Sequence, residues 1–480
     1  MKFLNTKDKP LKVWMRFKPS SSDPLKYDLS VHHVTMRSVF ASLVSLYENG
    51  RIAPQIASSW MDKDDKRTWD LKLNTSWTFS NGEKISPEEV LKSFKRVVLV
   101  KNKTDSNSGF LEYLKDFKKL NSLDDNIEGI KIINDHIVFN FIKPMPDFLE
   151  KVSFGLYSIV HSSQYDTEGK WIDNKKAISS GLYEISQWDK DNFELELRSD
   201  LNFIANASEL IKHIVFNFSL DPVEVLKNDI ILRERFNYLT DDSDWHYAST
   251  MEDSNIIYVK VMKWDDPKSL LSSKNTRKIL RSLFYKNLEN SGYKPIRSFF
   301  PLSIKGISEI SDNNSLPVFS YESKKFTMPP FFAPLKSTKN KDKKELGEIY
   351  KLGFESFCNE IHAVPNYENY PDNEQDEKRI FEMQFLGTGI NIYSPIEDVK
   401  FMFLSKHGIQ LPDTSGEIVK VLGNNEVDLQ LINEYLWDQA VIWPIRHYSQ
   451  GFWVKKNSEV DLSRINLAMN PIDFQFLSWK

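Results

Sequence analysis

The chain has 480 residues, with 63 Lys and Arg against 67 Asp and Glu, and this near balance (net −4) excludes a strongly basic nucleic-acid binder. Hydrophobic residues at 40% and charged residues at 27% match ordinary globular usage and exclude wholesale disorder. Aromatics reach 13%, whereas the 17 glycines are roughly half the usual ~7% share, so phosphate-cradling loops should be few.

At roughly 150 residues per domain the length corresponds to about three units. The amino-terminal stretch has no apolar h-region of ~7–15 residues, so no intact signal peptide is read there, and no segment approaches the ~20 apolar residues of a membrane span. Adjacent His32 and His33, read as strand residues, would point to opposite faces and so could not easily share a metal. Alternation of apolar and polar side chains predicts strands over Trp69–Asn74 and Phe193–Arg198. Lys131–Lys143 reads as two short strands around the turn formers Asn134 and Asp135. A helix should start at Pro87, with Ser86 as its N-cap and Glu89 three residues on as the partner of a capping box.

Farther along, Asn275–Glu289 places Ile279, Leu280, Leu283, Phe284 and Leu288 on one helical face. Asn425–Ala440 does the same with Leu429, Ile432, Leu436 and Ala440. Between them, prolines and the lysine cluster Lys336–Lys344 read as a solvated surface connection. Cys358, the single cysteine, excludes an intramolecular disulfide and any multi-cysteine metal site; its apolar neighbours mark it as a packed thiol.

Reaction chemistry has no signature here. GxxxxGK[ST], HExxH and GxSxG are all missing, and Gly387-Thr388-Gly389 lacks a third glycine because Ile392 occupies that place. Neither an enzyme nor a cofactor nor a metal is expected.

An ordered series of segments carries more information: Leu46-Tyr47 through Gly50, Pro54, Ala57 and Trp60; Phe79-Ser80-Asn81-Gly82 followed by Ser86, Glu89 and Val90; Gly181-Leu182-Tyr183; and Arg198. In order and spacing this series resembles the family 5 extracellular solute-binding proteins, the oligopeptide- and dipeptide-binding proteins of ABC transporters. The resemblance implies an α/β, two-lobed periplasmic-binding-protein-like fold, with an accessory subdomain inserted in the first lobe and a hinge-enclosed cleft. On that pattern residues 1–40, 161–255 and 440–480 form the first lobe, 41–160 the accessory subdomain and 256–439 the second lobe.

The resemblance also implies a non-enzymatic substrate-binding protein that captures a peptide or related small solute by hinge closure and delivers it, as a monomer, to the membrane permease of an ABC-type importer. Its place would be periplasmic or extracellular, with a lipid anchor as one mode of attachment and the leader removed. Nucleic acid is not an expected partner. The alternatives are the ligand-sensing domain of a bacterial transcription regulator, or a surface protein of this fold without a transport role.

Three stretches are implied as ligand-binding. Ser22-Asp23-Pro24 is similar to the family's "LDP", which makes Tyr27, Asp28, Leu29 and Ser30 one wall of the cleft. Gly387, Thr388, Gly389, Ile390, Asn391 and Tyr393, ending at Pro395, resemble the family's segment that lends backbone groups to a peptide. Asn391 stands where the family has an aspartate that pairs with the peptide's amino terminus, and an amide accepts a hydrogen bond without supplying charge. Third, "WPIRHYSQ" is similar to the family's late strand, with Arg446, His447 and Tyr448 offering polar contacts.

Overall fold

The computed structural model describes residues 9–311 apart from 16–17, 27–29, 48–49, 105–108, 190–191, 203, 205, 220, 233–243, 250–254, 262–263, 268 and 291–293. Beyond 311 it describes 326–327, 331–332, 363–364, 367–368, 383–389, 396, 399, 403, 416, 420–422, 427–448, 451–461 and 474–480.

Hydrophobic alternation builds the amino-terminal half as expected. Thr68–Leu73 and Phe193–Leu197 are strands, and Ile130–Ile133 pairs with His136–Asn140 around Asn134, whose φ of 55° is the left-handed value a tight turn asks for. A four-stranded antiparallel sheet runs in the order Ala57–Lys63, Thr68–Leu73, His136–Asn140, Ile130–Ile133. Against it lies the helix Pro87–Thr104. Ser86 caps that helix, its hydroxyl accepting from the Glu89 N–H at 3.3 Å. The second arm of the expected capping box is diverted: the Glu89 carboxylate accepts from the Ser162 N–H and hydroxyl, each at 2.8 Å, so it binds the helix to a distant segment instead of to its own start.

The largest sheet has seven strands in the order Trp245–Ser249, Gly451–Lys455, Ile230–Ile231, Leu11–Trp14, His213–Asn217, Phe193–Leu197, Tyr183–Trp188. Leu11–Trp14 runs parallel to both its neighbours, and the remaining pairings are antiparallel. This sheet and the four-stranded one share a continuous apolar core that contains Val13, Phe40, Phe79, Phe94, Phe139, Phe193 and Phe216. Ring pairs such as Phe94–Phe139 and Phe139–Phe148, both at 4.9 Å, put part of the aromatic excess in that core.

Two residues from the sequence series hold the layers in register. Gly181 donates its N–H to the Val39 carbonyl at 2.8 Å, and a Cβ there would stand 2.4 Å from the Ser38 oxygen, so only glycine allows the approach. Arg198, almost fully buried, donates to the Thr78 and Gly181 carbonyls at 2.9 and 3.0 Å and pairs with Asp200.

The second large sheet has five strands in the order Tyr367–Glu368, Phe331–Phe332, Met383–Gly389, Asn255–Val261, Ile442–Tyr448. One of its faces packs Val259, Phe284 and Trp443, and the other packs Ile256, Tyr258, Phe299 and Ile432. Both expected helices form, over Lys274–Asn290 and Leu429–Gln439. The buried face of the first differs from the apolar stripe: Arg277 and Arg281 are buried while Ile279 and Leu283 are half-exposed. Arg277 donates to the Leu271 and Ser272 carbonyls, and Arg281 donates to the Trp437 carbonyl while lying over its ring, so both cations are satisfied by backbone oxygens.

The expected grouping of 440–480 with the first lobe is divided by the hydrogen bonding. Ile442–Tyr448 belongs to the five-stranded sheet and only Gly451–Lys455 joins the seven-stranded one. Lys336–Lys344 and Cys358 lie outside the described residues.

Candidate functional site

The strand Asn255–Val261 is the centre of the site. Met383–Gly389 runs antiparallel along one side of it and Ile442–Tyr448 antiparallel along the other. In this register Asn255 is opposite both Gly389 and Tyr448, and Ile257 is opposite both Gly387 and Arg446. Two stretches well separated in the chain, each implied as ligand-binding, are therefore brought to the same end of one sheet.

A register shift between Ile257 and Tyr258 re-aims the end of the late strand. Ile256 and His447 sit on the face of Phe299, with the His447 ring nitrogen 3.4 Å from the Phe299 carbonyl. Period-two alternation then places Asn255, Ile257, Arg446 and Tyr448 on the opposite face. There the Arg446 guanidinium is 5.5 Å from the Tyr448 ring centroid, and Asn255 donates to the Tyr448 carbonyl at 3.5 Å. Gly387 and Gly389 share the face and contribute no side chain to it.

The described pairing along the other edge of Met383–Gly389 is partial. Met383 and Gln384 pair outward with Phe331 and Phe332, while among the described strands Phe385–Gly389 has no outward partner. An extended chain laid there would continue the ladder.

The same end receives both connections from the seven-stranded sheet. Ser249 pairs with Gly451 in that sheet and Asn255 pairs with Tyr448 in the other, so the ends of the two connections 249–255 and 448–451 are neighbours in both sheets. They join the core of the seven-stranded sheet to the separate clusters on the two faces of the five-stranded one, which is where a hinge between lobes would act.

Of the expected amino-terminal wall, Tyr27, Asp28 and Leu29 lie outside the described residues; Ser30 opens the helix Ser30–Val39. The approach to that wall is described and tightly fastened. Ser21, Ser22 and Asp23 are buried, and Ser22 donates to the Lys176 carbonyl at 2.8 Å and accepts from the Trp171 indole at 3.0 Å. Asp23 meets Arg96 at 2.8 Å.

His32 and His33 are helical and buried, which overturns their reading as strand residues. Burial, with the Arg37 charge adding to it, holds the His33 imidazole well below its ordinary range and so in its neutral form. Ile390, Asn391 and Tyr393 lie outside the described residues. Among the described residues no three His, Cys, Asp or Glu side chains converge as a metal set.

Asn255 and Ile257, the residues on which both flanks register, went unread in the sequence. The run Ile256–Val261 is apolar on both faces apart from Lys260, so it offers no alternation to mark it.

Comparison with known proteins bears out the resemblance. The family described as bacterial extracellular solute-binding proteins, family 5 middle, matches residues 51–228. The chain is 24% identical over 206 residues to the periplasmic oligopeptide-binding protein OppA of Escherichia coli K12, covering 41% of this chain and 37% of that one. It is 22% identical over 228 residues to the periplasmic murein peptide-binding protein MppA of the same organism, covering 45% of this chain and 42% of that one. The matched stretches thus span about two fifths of those relatives' own length. The solved structure of the Escherichia coli murein tripeptide binding protein MppA superposes with a TM-score of 0.75 at 16% identity, covering 98% of each chain. The fold is therefore the two-lobed one of the family 5 periplasmic binding proteins.

Proposed function

We propose that the protein is the substrate-binding component of an ABC-type importer, outside the cytoplasmic membrane, and that it captures a peptide or related small solute between its two lobes without chemical conversion. The observation that carries this reading is the coincidence at one sheet end of the strand segment Gly387–Gly389, which has two residues without side chains, and the paired connections that end at Asn255 and Tyr448. A ligand seated there touches the elements that must bend for the lobes to close, which links capture to closure. The matching relatives, both periplasmic peptide-binding proteins, support the same reading.

The ligand-binding residues of this reading are Gly387, Thr388, Gly389, Ile390, Asn391 and Tyr393, Arg446 and Tyr448 on the flanking strand, and Tyr27, Asp28, Leu29 and Ser30 from the first lobe. The lobes follow the sequence division, with 442–448 transferred to the second. The protein acts as a monomer and hands its ligand to a membrane permease; among the described residues no helix is long and apolar enough to cross a membrane.

The test is thermal unfolding of the refolded, ligand-stripped chain with a diverse peptide library. A ligand at one hundred times its dissociation constant stabilises by about 2.7 kcal/mol, which is several degrees in Tm. A library that shifts nothing at millimolar concentration sinks the peptide reading.

A further inference from the structure

The segment that follows the strand Thr68–Leu73 meets the segment that follows Phe193–Leu197 around a cavity of about 500 Å³. Its described lining is Asn74, Ser76, Thr78, Gly82, Asp200 and Asn202, with no hydrophobic side chain among them. None of these residues belongs to the five-stranded sheet that contains Asn255.

Asp200 sets the electrostatics of the cavity. Its Oδ1 accepts from the Arg198 Nε at 2.9 Å, and its Oδ2 accepts from the Arg198 Nη2 at 2.5 Å and from the Thr78 hydroxyl at 3.0 Å. The Arg198 side chain is 1% exposed and that of Asp200 is 40% exposed, so the cation is sealed behind the carboxylate that it neutralises. A ligand cation would find this negative charge already paired, and a ligand anion would meet the carboxylate first. A carboxylate has about four acceptor positions, and the three bonds above leave one on Oδ1.

Uncharged groups supply the rest. The Asn74 amide oxygen accepts from the Ser76 N–H at 3.1 Å, which leaves the Asn74 amide N–H groups as donors. The exposed Ser76 hydroxyl and Asn202 amide each add a donor and an acceptor. Gly82, with a φ of 86°, has no atom within 4 Å of where a Cβ would stand, so the rim there is open. Donors and acceptors in one recess, with the single charge neutralised, match a ligand that carries hydroxyls on every side. A peptide segment would bring apolar side chains that gain no burial against this lining.

We propose that this recess is a second binding site, for a neutral saccharide, and that it works independently of peptide capture at the hinge.

The experiment follows backbone amide resonances of the isotope-labelled full chain while maltotriose or N,N′,N″-triacetylchitotriose is added to millimolar concentration. At least one trisaccharide should shift the amides of 74–82 and 198–202, and the shifts should be the same with a bound peptide present. Ser76→Leu combined with Asn202→Leu removes two exposed polar groups and should weaken that binding about tenfold, as the loss of two hydrogen bonds requires.

The proposal is overturned if neither trisaccharide moves these amides, if the shifts map to 387–389 and 446–448 instead, or if the double variant binds as tightly as the wild type. Peptides that shift the amides of 74–82 in place of saccharides overturn it as well. The wild-type map decides even if the variant does not fold.

Discussion

Arg96 on the accessory helix holds Asp23 at 2.8 Å, with the two side chains only 2% and 9% exposed. The guanidinium also donates to the Gly169 carbonyl at 2.9 Å and lies between the rings of Tyr165 and Trp171, at 5.1 and 4.9 Å. Asp23 itself accepts from the Leu25 N–H at 3.0 Å. The segment that leads to the amino-terminal wall of the site is thereby pinned to the accessory subdomain by one buried ion pair. Removing either partner leaves a buried charge uncompensated, at a cost of about 3–5 kcal/mol. Arg96→Leu should lower the urea midpoint accordingly and weaken ligand binding; a loss below about 1 kcal/mol would show that the pair does not hold the segment.

Gly181→Ala tests the close approach of the Gly181 turn to the helix Ser30–Val39. The added Cβ would stand 2.4 Å from the Ser38 oxygen and 2.7 Å from the Val39 carbonyl carbon, both backbone atoms that cannot step aside. Overpacking of this kind costs about 1–3 kcal/mol or more. Chemical denaturation should show that loss with an unchanged m-value, and a neutral variant would disprove the contact.

Gly451→Ala acts at the other crossing. Its Cβ would meet the Ala248 oxygen at 2.5 Å and the Tyr247 ring at 2.6 Å, which forces the Ser249–Gly451 pair apart. Faster hydrogen exchange confined to 245–249 and 451–455 is expected, together with altered ligand affinity, because the hinge is anchored by that pair. Uniform exchange across the chain would argue that the pair anchors nothing.

Stability should fall on acidification from about pH 6.5, above the range in which Asp200 titrates. The folded state holds His33 neutral, whereas the unfolded chain protonates it near its ordinary value of 6.5. Protons are therefore bound preferentially by the unfolded state, and the contribution of His33, fully present above about pH 6.5, is lost as pH falls toward its lowered folded value. Below about pH 4 Asp200 adds to the loss: burial raises its pKa, but Arg198 and Thr78 hold the carboxylate below its ordinary range. His33→Gln should flatten the stability curve between pH 6.5 and 5 without moving the acid limb; an unchanged slope would assign that limb to other groups.

Legibility in the sequence followed the locality of the signal. The strands Thr68–Leu73 and Phe193–Leu197 alternate because one face is buried, and the helix at Pro87 shows its cap within three residues. The helix Ser30–Val39 was misread at His32 and His33 because its polar residues, Thr35, Arg37 and Ser38 among them, are themselves buried, so polarity in this stretch does not mark a solvent face. Gly387–Gly389 and Arg446–Tyr448 could be singled out by resemblance, but their meeting on either side of Asn255 is a matter of register between distant strands, and no local pattern encodes it. Asp23 and Arg96 are equally silent, since each reads alone as an ordinary surface charge.

The strand order of the seven-stranded sheet has a consequence for the newly made chain. Trp245–Ser249 has Gly451–Lys455 as its hydrogen-bonded neighbour in that sheet, and Gly451–Lys455 also fills the place beside Ile230–Ile231. At ~5–20 residues per second, the chain between them takes on the order of ten to forty seconds to synthesise. Throughout that interval both earlier strands present open edges with apolar side chains. The seven-stranded sheet therefore cannot be completed until nearly the whole chain has been made, so its closure is a late step of folding.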